Sequence, residues 1–250
     1  AGENAVPVLT ASLKDSSTLK RCNAVWALTR IDAGGARAAV RTALNDADAT
    51  VRQAALHSIS ACRDASAVPR LIEILQTDAA PFKRVAAEAL GRIGDKRAVP
   101  ALLAAARRQL DRVGEHAIIF ALIEIADAQG TSAGLANAST RRAALIALDQ
   151  MDGSGLKPEI VTAFLESNDA ALNKTAAWIL GLHPELKEWQ QRDIVKWAAG
   201  QLGITTRRRL ISPNAREHLK RAFHSQLLKN DLGRRVVNQA VKKDSEENRQ

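Results

Sequence analysis

One apolar triplet, spaced i, i+4, i+7, recurs along the chain as Ala24-Leu28-Ile31, Ala55-Ile59-Cys62, Ala86-Leu90-Ile93 and Ile118-Leu122-Ile125. Weaker copies follow at Ala144-Leu148-Met151 and Ala176-Leu180-His183. Successive side chains on an α-helix turn by ~100°, so this spacing lines one helical face. The first members lie 31, 31, 32, 26 and 32 residues apart. A fixed period of that length marks stacked supersecondary units rather than a single folded core. The small leading alanine predicts close approach of neighbouring helix backbones.

Between the triplets, Ala5-Val6-Pro7, Ala67-Val68-Pro69 and Ala98-Val99-Pro100 recur, with Ala38 in the skipped slot. Proline is tolerated in the first turn of a helix, where N–H groups lack an intrahelical acceptor, so a second helix is expected to begin there. An aspartate follows each of the first five triplets, at Asp32, Asp64, Asp95, Asp127 and Asp152. A carboxylate so placed is expected to cap the next helix. Basic residues open the triplet helices at Arg21, Arg52, Arg84, Arg142 and Lys174, and are expected to pair between neighbouring units. Neither ladder points to catalysis, because repetition of an interior charge is what stacked units require.

The Ala-Val-Pro signature and the Val-Arg-x-Ala-Ala run from Val51 to Ala55 resemble those of HEAT-repeat proteins of the short, phycobilisome-lyase-like kind, over roughly residues 5–203. The resemblance implies an all-α fold: a right-handed α-α superhelix of about six helical pairs, triplet helices on the convex side and proline helices on the concave side. Residues 1–203 form this solenoid, and 204–250 a basic helical cap with helices expected over 215–229 and 232–243.

The fourth unit departs from the pattern. Its helix, Ile118-Ile119-Phe120-Ala121-Leu122-Ile123-Glu124-Ile125, is apolar on nearly every side, which predicts burial all round. Two residues past each triplet's start, the side chain points outward; there the chain places Trp26, His57, Glu88, Phe120, Ile146 and Trp178. Phe120, Ile146 and Trp178 make an apolar row, expected either to lie under the 128–138 segment or the C-terminal helices, or to meet a partner. The Gly-, Ala- and Ser-rich stretch 129–139 is either a shortened helix or an inserted loop.

Residues 141–151, Trp178 and Leu182-His183-Pro184-Glu185 resemble the HEAT-repeat region of planctomycete-type multidomain, cytochrome-c-linked dehydrogenases. That resemblance implies an exported or cell-envelope electron-transfer protein in which this segment is the connector. The segment has no Cys-x-x-Cys-His haem motif. The first residue is Ala1, which reads as a processed form or a piece of something longer.

Charge and chemistry narrow the function. The formal charge is +9, yet residues 1–200 carry only +2 and residues 201–250 carry +7. Arg207, Arg208 and Arg209 are candidate anion or phosphate contacts within that tail. The positions expected on the concave side, Arg37, Arg41, Arg70, Glu73 and Arg107, are mostly positive, but aromatics are 3% of the chain, meagre for stacking on bases. Histidines 57, 116, 183, 218 and 224 are scattered. Cys22 and Cys62 sit at unequal helix positions, with Cys62 expected to point inward, so a disulfide between them is not expected. No catalytic, cofactor or metal residue is predicted, and no membrane span. Two classes remain: a non-catalytic protein-interaction or inter-domain scaffold, or a phosphate-backbone binder.

Overall fold

The computed structural model describes residues 2–107 and 111–182. The predicted cap over 204–250, its boundary at 203, Arg207, Arg208, Arg209, and His183, His218 and His224 lie outside the described residues. Within them the chain is all-α, with twelve α-helices and short 3-10 turns. The first two members of each of the six triplets fall on α2 (Thr18–Thr29), α4 (Ala49–Cys62), α6 (Ala80–Ile93), α8 (Arg112–Ile125), α10 (Ala138–Gln150) and α12 (Ala170–Leu182). Between them run shorter helices: α1 (Val6–Ser12), α3 (Gly34–Thr42), α5 (Val68–Thr77), α7 (Val99–Ala106), α9 (Ala128–Ser132) and α11 (Pro158–Ala163).

The chain divides into two compact units, Ala1–Lys157 with Ser167–Thr175, and Pro158–Glu166 with Ala176–Gln250. In the first, α2, α4, α6, α8 and α10 stack side by side, while the short helices form a second layer against them. One continuous apolar cluster runs between the layers from Val25 to Met151. Leu28, Leu44, Leu56, Leu71, Leu90, Leu102 and Leu122 in it are wholly buried. No single helix pair could enclose such a stripe; each depends on the next. In the second unit Val161, Ala176, Ile179 and Leu180 are buried.

The proline helices start as expected, with Pro7, Pro69 and Pro100 in their first turns. The aspartate ladder is only partly a capping ladder. Asp64 and Asp95 accept from the backbone N–H of Ser66 and Arg97, and Asp127 from that of Gly130. Asp32 caps nothing: α3 begins without a side-chain cap, and Asp32 is an almost fully exposed partner of Arg37. Asp152 is exposed and followed by Gly153 and Gly155, both at positive φ, where the turn is wider. The 129–139 stretch is the shortened helix α9 followed by a 3-10 turn over Ala133–Ala136. Gly134 is required in that turn, since a Cβ there would meet Leu103 Cδ2 at 2.7 Å and Ala144 Cβ at 2.8 Å.

Candidate functional site

Three kinds of surface could carry a function: the outward face of the triplet helices, the arginine-bearing inner surface, and clefts between units. The outward face is set by helix phase. Residues seven apart on one helix return to nearly the same direction, so the outward position two past each triplet's start shares a face with the residue five before it. On α2 this face holds Leu19 at 70% and Trp26 at 46% exposure; on α8 it holds Val113 at 52% and Phe120 at 45%. On α4 and α6 the same positions are Thr50 and His57, Pro81 and Glu88.

Phe120 is therefore where the sequence predicts it, with His116 stacked on its ring at 6.4 Å between centroids. Ile146 is half-buried and packs against the core, so it presents less surface than the row implied. Trp178 holds the same helical position on α12 and is about half exposed, as is Leu182. Cover by the 128–138 segment is not what the structure shows: α9 packs on α7 and α10, and Phe120 stays exposed. α8 is buried on its other sides, with Ile118, Ile119, Leu122 and Ile125 all enclosed. One outward position per unit does not reveal Leu19 and Val113; the seven-residue return along each helix does.

Three of the four arginines expected on the concave side, Arg37, Arg41 and Arg70, face carboxylates. Arg41 donates to Asp64 at 2.5 Å, Arg37 to Asp32 at 2.6 Å, and Arg70 pairs with Glu73 at 2.6 Å. A cation already facing a carboxylate gains less from a phosphate than a free one does.

The basic ladder at the helix starts has a structural role with a different register from the one expected. Arg21 and Arg52 lie three residues before their triplets and donate to main-chain carbonyls of the preceding turn, Asp15 and Ser16 for one, Asp46 and Ala47 for the other. In the fifth unit that role belongs to Arg141, which donates to the carbonyls of Leu135 and Ala136. Arg142, the residue the ladder named, instead pairs with Glu115 of the neighbouring unit. Among the described residues Arg84 reaches only Glu88 on its own helix, at 3.9 Å.

Arg21 also forks onto Asp46 at 2.8 and 3.0 Å, joining the first two units. The Arg21 guanidinium holds the Asp46 carboxyl below the usual carboxylate range. The backbone N–H of Thr50 does the same for Asp48, and that of Ser17 for Asp15.

Both cysteines are free thiols. Burial pushes the Cys22 thiol up, with the Asp48 and Asp46 charges adding to it, which makes it a poor nucleophile. Cys62 is exposed rather than inward, because it is the last residue of α4, where the helix ends and core contact runs out. Among the described residues, no three His, Cys, Asp or Glu side chains converge as a metal site, and no helix is long and apolar enough to cross a membrane.

Between the N-terminal turns of α6 and α8 lies a cleft of about 310 Å³, with Leu75, Pro81, Lys83, Val113, Gly114 and Ile118 among its lining.

Residues 6–84 and 62–123 match the family model described as HEAT repeats. No curated protein matches the chain. Among solved structures, the complex of CpcE and CpcF of phycocyanin lyase from Nostoc sp. PCC7120 is 22% identical, with 95% of this chain and 94% of that one covered at a TM-score of 0.48. A designed armadillo repeat protein is 15% identical, over 70% of this chain and 98% of that one, at 0.44. Human deoxyhypusine hydroxylase in complex with glycerol is 18% identical, over 96% and 95%, at 0.42. Over the matched residues the repeated helix pairs form an α-solenoid of the HEAT type.

Proposed function

We propose that this chain is a non-catalytic scaffold that holds another polypeptide, or another domain of its own parent protein, against the outward face of its triplet helices. The observation that carries the reading is the contrast along that face. Trp26 and Phe120 stand about half exposed, while the equivalent His57 and Glu88 are polar, as a wetted surface should be. Half-exposed aromatics are the usual anchors of a protein contact. Trp178 extends the same reading to α12. The paired state of Arg37, Arg41 and Arg70 argues against a phosphate-binding inner wall.

A finer reading makes this segment the connector of an exported, cytochrome-c-linked dehydrogenase. Its support is the resemblance carried by residues 141–151 and Leu182 to Glu185. A haem motif in the flanking sequence of the parent gene supports it; flanks with neither a haem motif nor a dehydrogenase domain remove it.

Photo-crosslinking tests the scaffold reading. A benzophenone side chain at position 26 or 120 of the full parent protein should give crosslinks to another polypeptide region, and one at position 57 should give far fewer. Phe120→Ala should leave stability within about 1 kcal/mol, as expected for a half-exposed side chain, while reducing association. A Phe120→Ala protein that loses stability by more than that and keeps its partner would show the ring to be internal packing.

A further inference from the structure

Where α6 meets α4, a side chain plugs the groove between the two triplet helices. The plug sits four residues before the triplet and faces the preceding unit. It is Phe82, and Val51, Thr140 and Leu172 at the same position of their helices are buried too. Phe82 shows how the plug is held: Arg52 of the preceding helix lies over its ring, 4.8 Å from the centroid. In α8 the plug position is Gly114, which has no side chain to offer, and the residue equivalent to Arg52 is Lys83. Both line the cleft of about 310 Å³ between α6 and α8, with buried Leu75 and Ile118 and exposed Pro81 and Val113. The cleft is thus the vacant counterpart of the Phe82 seat.

We propose that this cleft receives an aromatic side chain from a partner polypeptide, in the place Phe82 takes one unit earlier, with acidic residues beside that aromatic. The proposal rests on the scaffold reading and names the chemistry of one partner segment. The cleft has ample room for a large side chain, and among the described residues its buried lining, Leu75, Ala105 and Ile118, is aliphatic. Lys83 is positioned to lie over the ring as Arg52 does over Phe82, a cation–π contact. The rim favours an acidic neighbour. Among the described residues Lys83 has no ion-pair partner, and Arg84 has only Glu88 at 3.9 Å. Among the described residues the one carboxylate in the lining, Asp111, is engaged as the cap of α8, accepting from the Gly114 N–H at 2.6 Å.

The test is an amide-resolved NMR titration of the isotope-labelled full chain with the peptide acetyl-Asp-Phe-Glu-amide, against acetyl-Asp-Ala-Glu-amide. The phenylalanine peptide should move the Lys83, Arg84 and Gly114 amides saturably, and the alanine peptide should not. Lys83→Glu, a change at the rim, should weaken binding at least tenfold. Gly114→Phe should fill the seat from within, abolish binding and hold or raise the melting temperature. Shifts that fall elsewhere, that are equal for the two peptides, or that survive Lys83→Glu undiminished would overturn the proposal. Should Gly114→Phe fail to fold, Lys83→Glu decides alone. Crosslinks from positions 26 and 120 are read independently, so retained crosslinks with a silent cleft remove only the cleft, and the converse removes only the outward-face contact.

Discussion

Eight residues after each triplet begins, three helices end on a left-handed residue: Arg63 at φ 49°, Gly94 at 76° and Ala126 at 54°. Only Gly94 adopts that backbone without a steric cost from Cβ. Ala126 is exposed, so its methyl contributes little packing. Ala126→Gly should therefore stabilise the protein by roughly 0.5–1 kcal/mol, seen as a higher denaturant midpoint with an unchanged slope. The carboxylates behave differently. Asp46, Asp48 and Asp15 have lowered pKa values in the folded state, so their contribution is complete above about pH 4 and is lost as pH falls through the lowered values. Asp46→Asn should remove part of that dependence: the midpoint gap between wild type and variant, clear at pH 7, should narrow as pH falls below about 4. A gap that stays constant would mean that the Arg21 fork adds nothing beyond neutral hydrogen bonds. At this scale much was legible. The aspartates after the triplets stood out, but whether each one caps depended on how many residues separate it from the next helix.

Helices meet along a seam of small residues. Thr29 of α2 donates to Ser58 of α4 at 2.6 Å, and two units on, a Cβ at Gly91 of α6 would lie 2.8 Å from Ala121 Cα of α8. Both contacts join the position five past one triplet's start to the position three past the next. Gly91→Ala sets two effects against each other. Helix propensity favours alanine by ~1 kcal/mol, while forcing two packed helices apart costs about 1–3 kcal/mol. The near atom is backbone, which cannot swing aside, so the packing cost should dominate and the melting temperature should fall; a rise would show the seam to be looser than it stands. The leading alanines announced this close approach. The Gly91–Ala121 pairing was not readable from either helix alone, since it depends on the relative rotation of both.

For the molecule as a whole, charge decides between the two functional classes. The body is nearly neutral, and the excess of +7 lies in residues 201–250. Retention of the full chain on heparin should therefore be weak, salt-sensitive, and cut by substituting Arg207, Arg208 and Arg209 with glutamine. Retention that persists in that variant and falls steeply with salt would restore the phosphate-binding class. The repeat length, the helix pairs and the buried stripe all follow from spacing, because a 3.6-residue turn converts sequence period directly into a face. Helix phase also exposes Phe120 and Trp178. What helix phase does not contain is the relation between neighbouring units. The fork of Arg21 onto Asp46, the pairing of Arg41 with Asp64, the half-burial of Ile146 and the empty seat beside Gly114 all arise where two helices face each other, and a one-dimensional period carries no record of what stands across the gap.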